Sequence, residues 1–548
     1  MKKELVLLTA IILISMSSCR SNDTDQVLQT GGQASVKVNL TGTDYAEIKG
    51  GSLAALKGLA VSDLASKQRQ LKLVTPSSYI EAELSSVNTT GNSSQASLKS
   101  NLLASATGEP LGTGMKFRVI AYRQNNGSYQ DHKDYTVGQP ADGLILDNGV
   151  AYDFVVYSYG ASTLPDITAG EKIDINSGVV SYDNANPDFM YQKVTYTPTN
   201  LTNTLPITLR HKLARITTTV NSIGYGDITS ITNAYLNPNF TAGSIALSSG
   251  SMTRTGGSSN VNLSFTPVNN VSMQSAPVLL NADTGGVPGG SFSADITVGG
   301  VSKTISLPNS FKISPENNSN LAINLRKCGA YIGPNTNPAN FKEFMCQNLG
   351  ATPGISPFSP EAGNQGAKYQ WGYMPNNPNV SDNKYLTQSD DQTYSSLPSN
   401  IIGWNQTPAP DNSWNNGTEL TPVKGDYDPC PSGFRVPTQT EWQAVIDNNT
   451  VERTDSWNGQ DIYKAALYFT TPSKVRTLML PAAGYRDPAD GLMEFRSYGG
   501  EYWSSTHTPD NIAENIKDMA HAIHFSVSEL LEYSDKRSYG FSVRCIAQ

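Results

Sequence analysis

The chain has 548 residues, which is too long for one hydrophobic core, so we expect about three domains. Its formal net charge is −8 and it shows no basic cluster, which argues against a nucleic-acid-binding protein. Charged residues make up only 16% of the chain, whereas Ser, Thr, Asn and Gly are abundant. Such a composition is typical of extracellular β-domains, whose outward strand faces carry hydroxyls and amides.

The N-terminus has the features of an export signal. Lys2 and Lys3 precede an apolar run of about ten residues, at 5–14, which is too short to cross a bilayer. The run ends in small residues directly before Cys19. This arrangement resembles a bacterial lipobox, in which Cys19 becomes the lipidated first residue of the mature protein. The alternative is an ordinary secretory signal with an incidental cysteine.

The lipobox interpretation predicts where the protein resides. Residues 1–19 are expected to be a lipoprotein signal peptide, and the polar residues 20–33 a flexible tether. No other segment approaches the roughly 18 apolar residues that a membrane helix needs. The mature chain should therefore be held at the outer membrane, on the cell surface, through its N-terminal lipid.

Short alternating apolar runs recur through the first 325 residues, with Gly, Asn and Pro turns between them. This pattern indicates β-sandwiches, and no long helix is predicted. Residues 50–60 could form a short helix or a loop. The predicted strands cover residues 34–40, 115–122, 152–159, 207–209, 214–220, 261–265, 292–298 and 303–307.

The order of these runs resembles the fimbrillin (Mfa-like) family of Bacteroidetes. The resemblance rests on FRVIAY at 117–122, DFVVYSY at 153–159 and LRHKLARI at 209–216. It implies two all-β, transthyretin-like sandwiches, one at 34–200 and the other at 201–325. The boundary follows a polar stretch near residue 200.

The C-terminal part carries a long, specific motif. Residues 428–442, DPCPSGFRVPTQTEW, read as an extended segment that turns into a helix, because Pro437 favours extended backbone before it. Thr438 and Glu441 form the Thr-x-x-Glu capping box of a helix start. Residues 538–546, SYGFSVRCI, alternate in the manner of a half-buried strand that closes a domain.

These segments resemble the FISUMP (major paralogous) domain of Bacteroidetes surface proteins over about residues 326–548. Within them, RVPTQTEW at 435–442 and GFSVR at 540–544 are more distantly similar to the formylglycine-generating-enzyme family, which implies an α+β, C-type-lectin-like fold. The chain is thus predicted to contain two sandwiches followed by a C-type-lectin-like domain. The further matching segments are CGAY at 328–331, FKEFMCQNLGA at 341–351, AKYQWG at 367–372 and YWSST at 502–506.

Four cysteines besides Cys19 all lie in this C-terminal part: Cys328, Cys346, Cys430 and Cys545. An even number in an exported domain indicates disulfides, and three pairings are possible. We expect Cys328–Cys346 and Cys430–Cys545, since each pair joins plausible neighbours. In loop-entropy models a closed loop of about 100 residues is worth ~4.7 kcal/mol, and the second pair closes a loop of that order.

Motifs of common enzymes are missing from the sequence: it contains no Gly-x-Ser-x-Gly elbow, phosphate loop or His-Glu-x-x-His. A catalytic thiol would follow from the distant formylglycine-generating resemblance, but each C-terminal cysteine has a structural partner available. His521 and His524 would share a face on a helix, whereas their surroundings favour a strand, which separates them. We therefore predict that the chain is not an enzyme and needs no cofactor.

Turn-rich stretches that combine Trp with Asn and Asp are candidate ligand-binding loops. Aromatic faces stack on sugars, while amide and carboxylate oxygens suit hydroxyl groups or Ca²⁺. The alternative is that each Trp anchors its loop to the core and Asn supplies the turn. The candidates are Trp404, Asn412, Trp414, Asn415, Trp457, Asn458 and Asp461.

Together these features predict a surface lipoprotein, a minor or tip subunit of a fimbria that adheres through its C-terminal domain. The expected partners are fimbrial subunits, a host or bacterial surface glycan or protein, and the membrane through the lipid, but not nucleic acid. The alternatives are a glycan-capturing lipoprotein outside fimbriae and a formylglycine-generating-type enzyme. Arg69 is a candidate trypsin-like cleavage site that would release the lipid and expose an acceptor groove; equally, it is an ordinary exposed arginine.

Lipidation is testable with a single substitution. Cys19→Ala should leave the precursor unprocessed or release the protein from the membrane fraction, because the thiol is the acceptor of the lipid. Fractionation and immunoblotting would measure this. Retention in the outer membrane with unchanged electrophoretic mobility would show that the lipobox interpretation is wrong.

Overall fold

The structure, a computed structural model, describes residues 32–46, 67–87, 109–374 (without 141, 187, 267 and 268), 404, 407–457, 463–511 and 516–548. The predicted signal peptide, most of the tether and the 50–60 segment lie outside these residues. Within them the chain consists of many β-sheets and one α-helix, which agrees with the predicted β-rich, multidomain class.

The first ten strands are β1 Gln33–Asp44, β2 Lys67–Thr75, β3 Ser78–Ser86, β4 Lys116–Arg123, β5 Tyr129–Thr136, β6 Leu144–Asp147, β7 Tyr152–Ser158, β8 Val179–Asp183, β9 Met190–Tyr196 and β10 Thr202–His211. The next eight are β11 Ala214–Asn221, β12 Ile228–Ala246, β13 Met252–Asn262, β14 Ser272–Gln274, β15 Val278–Leu280, β16 Gly290–Val298, β17 Val301–Phe311 and β18 Asn318–Lys327.

The C-terminal part contains shorter elements, including the helix α1 Gln439–Asn448 and two 3₁₀ turns, Pro338–Asn340 and Ala362–Asn364. Its strands are β19 Gly329–Tyr331, β20 Phe341–Glu343, β21 Tyr369–Gln370, β22 Phe434–Arg435, β23 Thr450–Arg453, β24 Ala466–Thr470, β25 Arg476–Pro481, β26 Tyr485–Arg486, β27 Met493–Glu494, β28 Gly499–Thr508, β29 Met519–Ser526, β30 Leu530–Lys536, β31 Gly540–Phe541 and β32 Ile546–Ala547.

The first domain is built on one seven-stranded sheet with the order β5-β4-β7-β9-β10-β1-β6. The outermost strands β5 and β6 contribute Tyr135 and Leu144 to the same hydrophobic core, so the sheet curls round that core. A second cluster covers its outer face. Val119 of β4 faces the inner core, and its neighbour Ile120 faces the outer cluster. Burial on both faces explains the unbroken apolar runs at 119–122 in β4 and 154–157 in β7.

The second domain is a sandwich of two sheets. One has the order β14-β11-β18-β3-β2, with β15 beside β11, and the other has the order β13-β12-β16-β17, with β8 beside β12. Ile216 of β11 and Leu236 of β12 are buried in the core between them. Buried and half-buried residues alternate along all of β11, as the predicted strand at 214–220 requires.

Strand pairing interleaves the two domains across the boundary expected near residue 200. β2 and β3, which the sequence assigns to the first sandwich, pair into the sheet of β18 in the second. Conversely, β10 begins at Thr202 and lies parallel to β1 in the first sheet. β8 pairs with β12 and so connects the domains. Such pairing between distant segments depends on register in the folded chain, which alternation alone does not specify.

The C-terminal domain begins after β18 and consists of small sheets around α1. Thr438 and Glu441 make the predicted capping box at the start of α1. The sheet β28-β29-β30 separates two cores: Tyr502 and Trp503, adjacent on β28, face opposite clusters. The expected α+β character is limited to this ten-residue helix among the described residues. No described helix is long and apolar enough to span a membrane.

Both predicted disulfides are confirmed. Cys328 bonds to Cys346, and Cys430 bonds to Cys545 across 115 residues. All four cysteines are at least 95% buried. The second bond ties the 428–442 motif to the last segment of the domain, which constrains a long loop of the unfolded chain.

The predicted closing strand at 538–546 is only partly correct. The structure has two short pieces, β31 and β32, and the residues between them are irregular. Residues 540–546 are all buried, so the segment is not half-exposed. Phe541, Val543 and Cys545 enter one core as the alternation predicts, but Arg544 on the other side is buried as well.

Arg544 is fully buried, and no carboxylate of the described residues contacts it. Its Nε and Nη2 donate to Asn348 Oδ1 at 3.1 and 2.6 Å. Its Nη1 donates to the backbone carbonyls of Met345 and Cys346, each at 3.3 Å. Burial lowers the pKa of this guanidinium to about 10. Protein dipoles therefore replace the water that normally solvates the charge.

The C-terminal domain docks on the turn between β2 and β3. The backbone N–H of Cys328 donates to Ser77 O at 2.8 Å, and that of Cys346 donates to Pro76 O at 2.6 Å. Ser77 Oγ donates to Glu343 Oε2 at 2.8 Å. Tyr79 packs with the Cys328–Cys346 disulfide in a small buried cluster. These contacts fix the orientation of the C-terminal domain on the second domain.

Substitution of Arg544 should destabilise the C-terminal domain strongly. In Arg544→Met the carbonyl acceptors stay buried and lose their donors, and we expect a loss of about 3–5 kcal/mol in unfolding free energy. All six tryptophans of the chain lie in this domain, so tryptophan fluorescence during urea unfolding reports on it. The control Lys517→Met removes a mostly exposed cation from the same domain and should change stability by less than about 1 kcal/mol. Equal midpoints for both variants would contradict this role for Arg544.

Candidate ligand-binding face of the C-terminal domain

Trp414, a predicted ligand contact, is completely buried. Its ring lies 5.5 Å from that of Trp371, centroid to centroid, in the core that also contains Trp503. Asn415 Oδ1 accepts the backbone N–H groups of Gly417 and Val423 at 2.9 and 3.0 Å, and so shapes the turn. The alternative reading, in which Trp anchors the loop and Asn makes the turn, describes this segment. Trp414 is therefore a core residue and not a ligand contact.

The other predicted loop residues do not form one site either. Trp404 is only 7% exposed and its Nε1 donates to Ser538 O at 3.0 Å. Trp457 is half-buried. Its Nε1 donates to Thr454 O at 2.6 Å, and its ring packs on the core that contains Tyr502. Asn412 is exposed, beside buried Trp414. The remaining two candidates, Asn458 and Asp461, lie outside the described residues.

His521 and His524 lie on β29, a strand as expected, and therefore on opposite faces. His521 Nδ1 is 2.5 Å from Glu532 Oε1, and His524 Nδ1 is 2.5 Å from Glu501 Oε1. The hydrogen bond to Glu501 raises the pKa of His524. No group of three or more His, Cys, Asp or Glu side chains in the described part of the chain is arranged to hold a metal ion.

Of the two predicted processing sites, Cys19 and Arg69, the structure describes only Arg69. Cys19 lies outside the described residues. Arg69 lies within β2, paired with Glu83 of β3, and its exposed guanidinium contacts Glu81. Proteolytic cleavage there would first require β2 to detach locally from β3, because proteases bind an extended, unpaired substrate backbone.

A different surface of the C-terminal domain carries exposed aromatic rings. Phe495 is 51% exposed and Tyr498 is 52% exposed, and they are the two exposed aromatic side chains of the described residues. Their ring centroids lie 6.3 Å apart. Half-buried Tyr485 and Tyr539 extend the surface. We refer to Tyr485, Phe495, Tyr498 and Tyr539 as the aromatic face.

Short elements position the aromatic face. Tyr485 is the first residue of β26, and its ring stacks on Phe495 at 5.8 Å with an interplanar angle of 21°. Tyr539 packs edge-on against Tyr485 at 5.5 Å. The turn after β27 holds Phe495 at φ 58° and Ser497 at φ 63°, in the left-handed region. Bulky residues rarely adopt this conformation, and such positions cluster at functional sites.

Carboxylates lie close to Tyr485 and Tyr539 of the aromatic face. The Tyr485 hydroxyl donates to Glu494 Oε2 at 2.9 Å. Burial, followed by the charges of Asp535, Asp487, Glu494 and Glu501, raises the pKa of the Tyr539 hydroxyl to about 12. Burial and Glu494 likewise raise the pKa of Tyr485. Both shifts follow from burial and from these carboxylates, which shows that negative charge lies close to the two rings.

The two arginines next to the rings in sequence are withdrawn from solvent, whereas Lys536, whose backbone O accepts the N–H of Tyr539 at 3.0 Å, is exposed. Arg486 is fully buried and its Nη1 donates to Gly491 O at 3.1 Å. Arg496 is 8% exposed, and its guanidinium lies 5.4 Å from the centroid of the Tyr463 ring. The face thus combines π surfaces with a carboxylate rim, which suits stacking on a ligand or attraction of a cation.

Sequence reasoning missed this face because its residues look unremarkable in the sequence. The four rings come from positions 485, 495, 498 and 539, which meet only through the pairing of β26 with β27 and β31. The signal available in the sequence was the turn-rich DPADG at 487–491 before two nearby aromatics. Trp, by contrast, offers the largest apolar area and is usually buried.

Truncation of Trp414 should therefore affect folding more than binding. Trp414→Ala leaves a cavity beside Trp371, and we expect a loss of about 3–5 kcal/mol in unfolding free energy. Asn412→Ala, at an exposed position of the same loop, is the matched control and should be nearly neutral. Denaturant unfolding followed by fluorescence checks both. A Trp414→Ala protein as stable as the wild type would contradict the buried role.

No protein-family model matches the chain, and no curated protein matches it by sequence. Several solved structures of Bacteroidetes proteins are similar to parts of it. A candidate cell adhesion protein from Bacteroides uniformis shares 17% identity, with a TM-score of 0.28, over 39% of this chain and 91% of that one. A candidate cell adhesion protein from Bacteroides fragilis shares 12% identity over 53% of this chain and 92% of that one, with a TM-score of 0.28. The fimbrial anchor protein Mfa2 from Porphyromonas gingivalis shares 12% identity over 38% of this chain and 82% of that one, with a TM-score of 0.25.

Proposed function

We propose that this protein is a lipid-anchored cell-surface adhesin, a minor or tip subunit of a fimbria, whose C-terminal domain makes contact with the target. The aromatic face carries this proposal. It places the two exposed aromatic side chains of the described residues side by side on that domain. Exposed aromatic side chains are costly in water and commonly dominate binding surfaces.

The architecture supports a stalk that presents a binding domain. Two β domains precede the C-terminal domain, and backbone hydrogen bonds from Cys328 and Cys346 hold that domain on the β2–β3 turn. A domain fixed in this way loses little orientational freedom when it binds, which favours attachment. The lipobox at Cys19 would tie the other end of the chain to the membrane.

The pairing of the last described strands, β31 and β32, within their own domain supports a terminal position in a fimbria. Fimbrial polymerisation by strand exchange requires a subunit to offer a strand to its neighbour. In this chain β31 pairs with β21 and β26, and β32 pairs with β22. Residues 540–547 are therefore engaged inside their own domain, and Cys545 is bonded to Cys430. Such a subunit would accept a strand without donating this one.

Attachment through the aromatic face can be measured on beads that carry the full-length mature protein. The double variant Phe495→Ala, Tyr498→Ala should bind host epithelial cells or partner bacteria about tenfold less well, because it removes the exposed rings. Val301→Ala is the control, since Val301 is 62% exposed in the second domain. Undiminished attachment of the double variant would place the adhesive surface elsewhere.

Association with fimbriae needs a separate measurement. Fimbriae sheared from producing cells should contain the protein in substoichiometric amounts, detected by immunoblotting and by immunogold labelling at one end of each fibre. Detection only in the membrane fraction would instead favour a glycan-capturing lipoprotein outside fimbriae. Labelling along the whole fibre would contradict the terminal position.

A further inference from the structure

We infer that the aromatic face binds a cationic side chain, the ammonium of lysine or the guanidinium of arginine, on a segment of a partner protein. This inference rests on the proposed role of the C-terminal domain in attachment and names the chemistry of its ligand. It depends on three features of the face: its π surfaces, its carboxylate rim and the burial of its neighbouring arginines.

The rings supply the first feature. A cation within about 6 Å of a ring centroid is attracted by the negative face of the π system. Phe495 and Tyr498 are about half exposed and inclined at 66° to each other, so a side chain can lie against both rings. The aliphatic stem of lysine or arginine would cover apolar ring surface at the same time.

The carboxylates supply the second feature. Glu494 accepts a hydrogen bond from the Tyr485 hydroxyl, which holds its charge beside the rings. Asp535 and Asp487 lie close enough to Tyr539 to raise its pKa. A neutral sugar would gain hydrogen bonds from such groups but would not use their charge. A cation gains from both, and the net charge of −8 would attract it over a longer range.

The third feature is the burial of Arg486 and Arg496, the two arginines next to the rings in sequence. The guanidiniums of Arg486 and Arg496 are directed into the domain, against Gly491 O and the Tyr463 ring. Each is more than 90% buried. Neither can fold over the exposed rings without leaving its buried position, so neither arginine takes the place of an external cation.

The test uses full-length mature protein and two synthetic peptides. The first is a fluorescently labelled acetyl-(Lys-Gly)₃-amide, and the second is the same peptide with every lysine acetylated. Acetylation removes the charge and preserves most of the length. Fluorescence anisotropy at low and at physiological salt should show binding of the first peptide only, weaker at the higher salt.

Three variants separate a specific face from general acidity. Phe495→Leu keeps apolar area but removes the ring, and should weaken binding by about threefold to tenfold. Glu494→Gln should weaken it similarly, while the Tyr485 hydroxyl retains an acceptor. Asp166→Asn changes the net charge equally at an exposed site in the first domain and should have no effect.

Some outcomes would overturn the inference. Equal binding of the acetylated peptide, or equal weakening by Asp166→Asn and Glu494→Gln, would show that no cation site exists on the face. Binding of a neutral oligosaccharide such as maltotetraose, abolished by Phe495→Leu, with no lysine-peptide binding would also overturn it, yet would leave attachment through the face intact. If the face variants change neither peptide binding nor cell attachment, the proposed function fails as well.

Discussion

A buried guanidinium organises the C-terminal domain. Arg544 lies in the interior without a carboxylate among its described contacts, so its charge is compensated only by Asn348 and two backbone carbonyls. A charge in such a place costs far more than a hydrogen bond returns unless every donor is satisfied. Asn348 in turn donates to the Tyr502 hydroxyl and to Gln365 O, each at 2.9 Å. Segments from the beginning, middle and end of the domain must therefore assemble together.

The two disulfides flank this interaction and extend its effect. Cys346 bonds to Cys328, while Cys545, next to Arg544, bonds to Cys430 in the motif before α1. The first bond also lies against Tyr79, on the strand that joins the second domain. One continuous set of contacts thus runs from the sandwich core to the C-terminal domain. The aromatic face borders this set of contacts, because the Tyr485 ring packs on Phe541 of the core at 6.1 Å between centroids.

Trp414, which the sequence suggests as a ligand contact, is buried, whereas tyrosines that the sequence does not single out lie at the surface. Trp371 and Trp414 are buried together because a large apolar surface gains most from leaving water. Tyr485 and Tyr539 stay at the boundary, where the ring packs and the hydroxyl still meets a polar partner. The turn-rich loop with Trp414 therefore contributes to the core. Phe495, in contrast, is a bulky residue at positive φ with a half-exposed ring, a feature visible only in the folded backbone.

The sequence by itself determined the features that depend on residues close together in the chain, on the two-residue period of a strand, or on the number of cysteines. The capping box of Thr438 and Glu441 is local chemistry, and the alternation of β11 reflects the period of a strand. Four cysteines in one domain limited the pairings to three, and the observed pairs are those expected.

Only the tertiary structure decided what depends on distant segments. β2 and β3 join the second domain because β3 pairs in register with β18. The first sheet curls because its two outermost strands share one core. The aromatic face joins four rings spread over 55 positions, 485–539, and Arg544 finds acceptors nearly 200 residues earlier in the chain. Local patterns carry no information about such encounters, because they arise from the packing of whole sheets and cores.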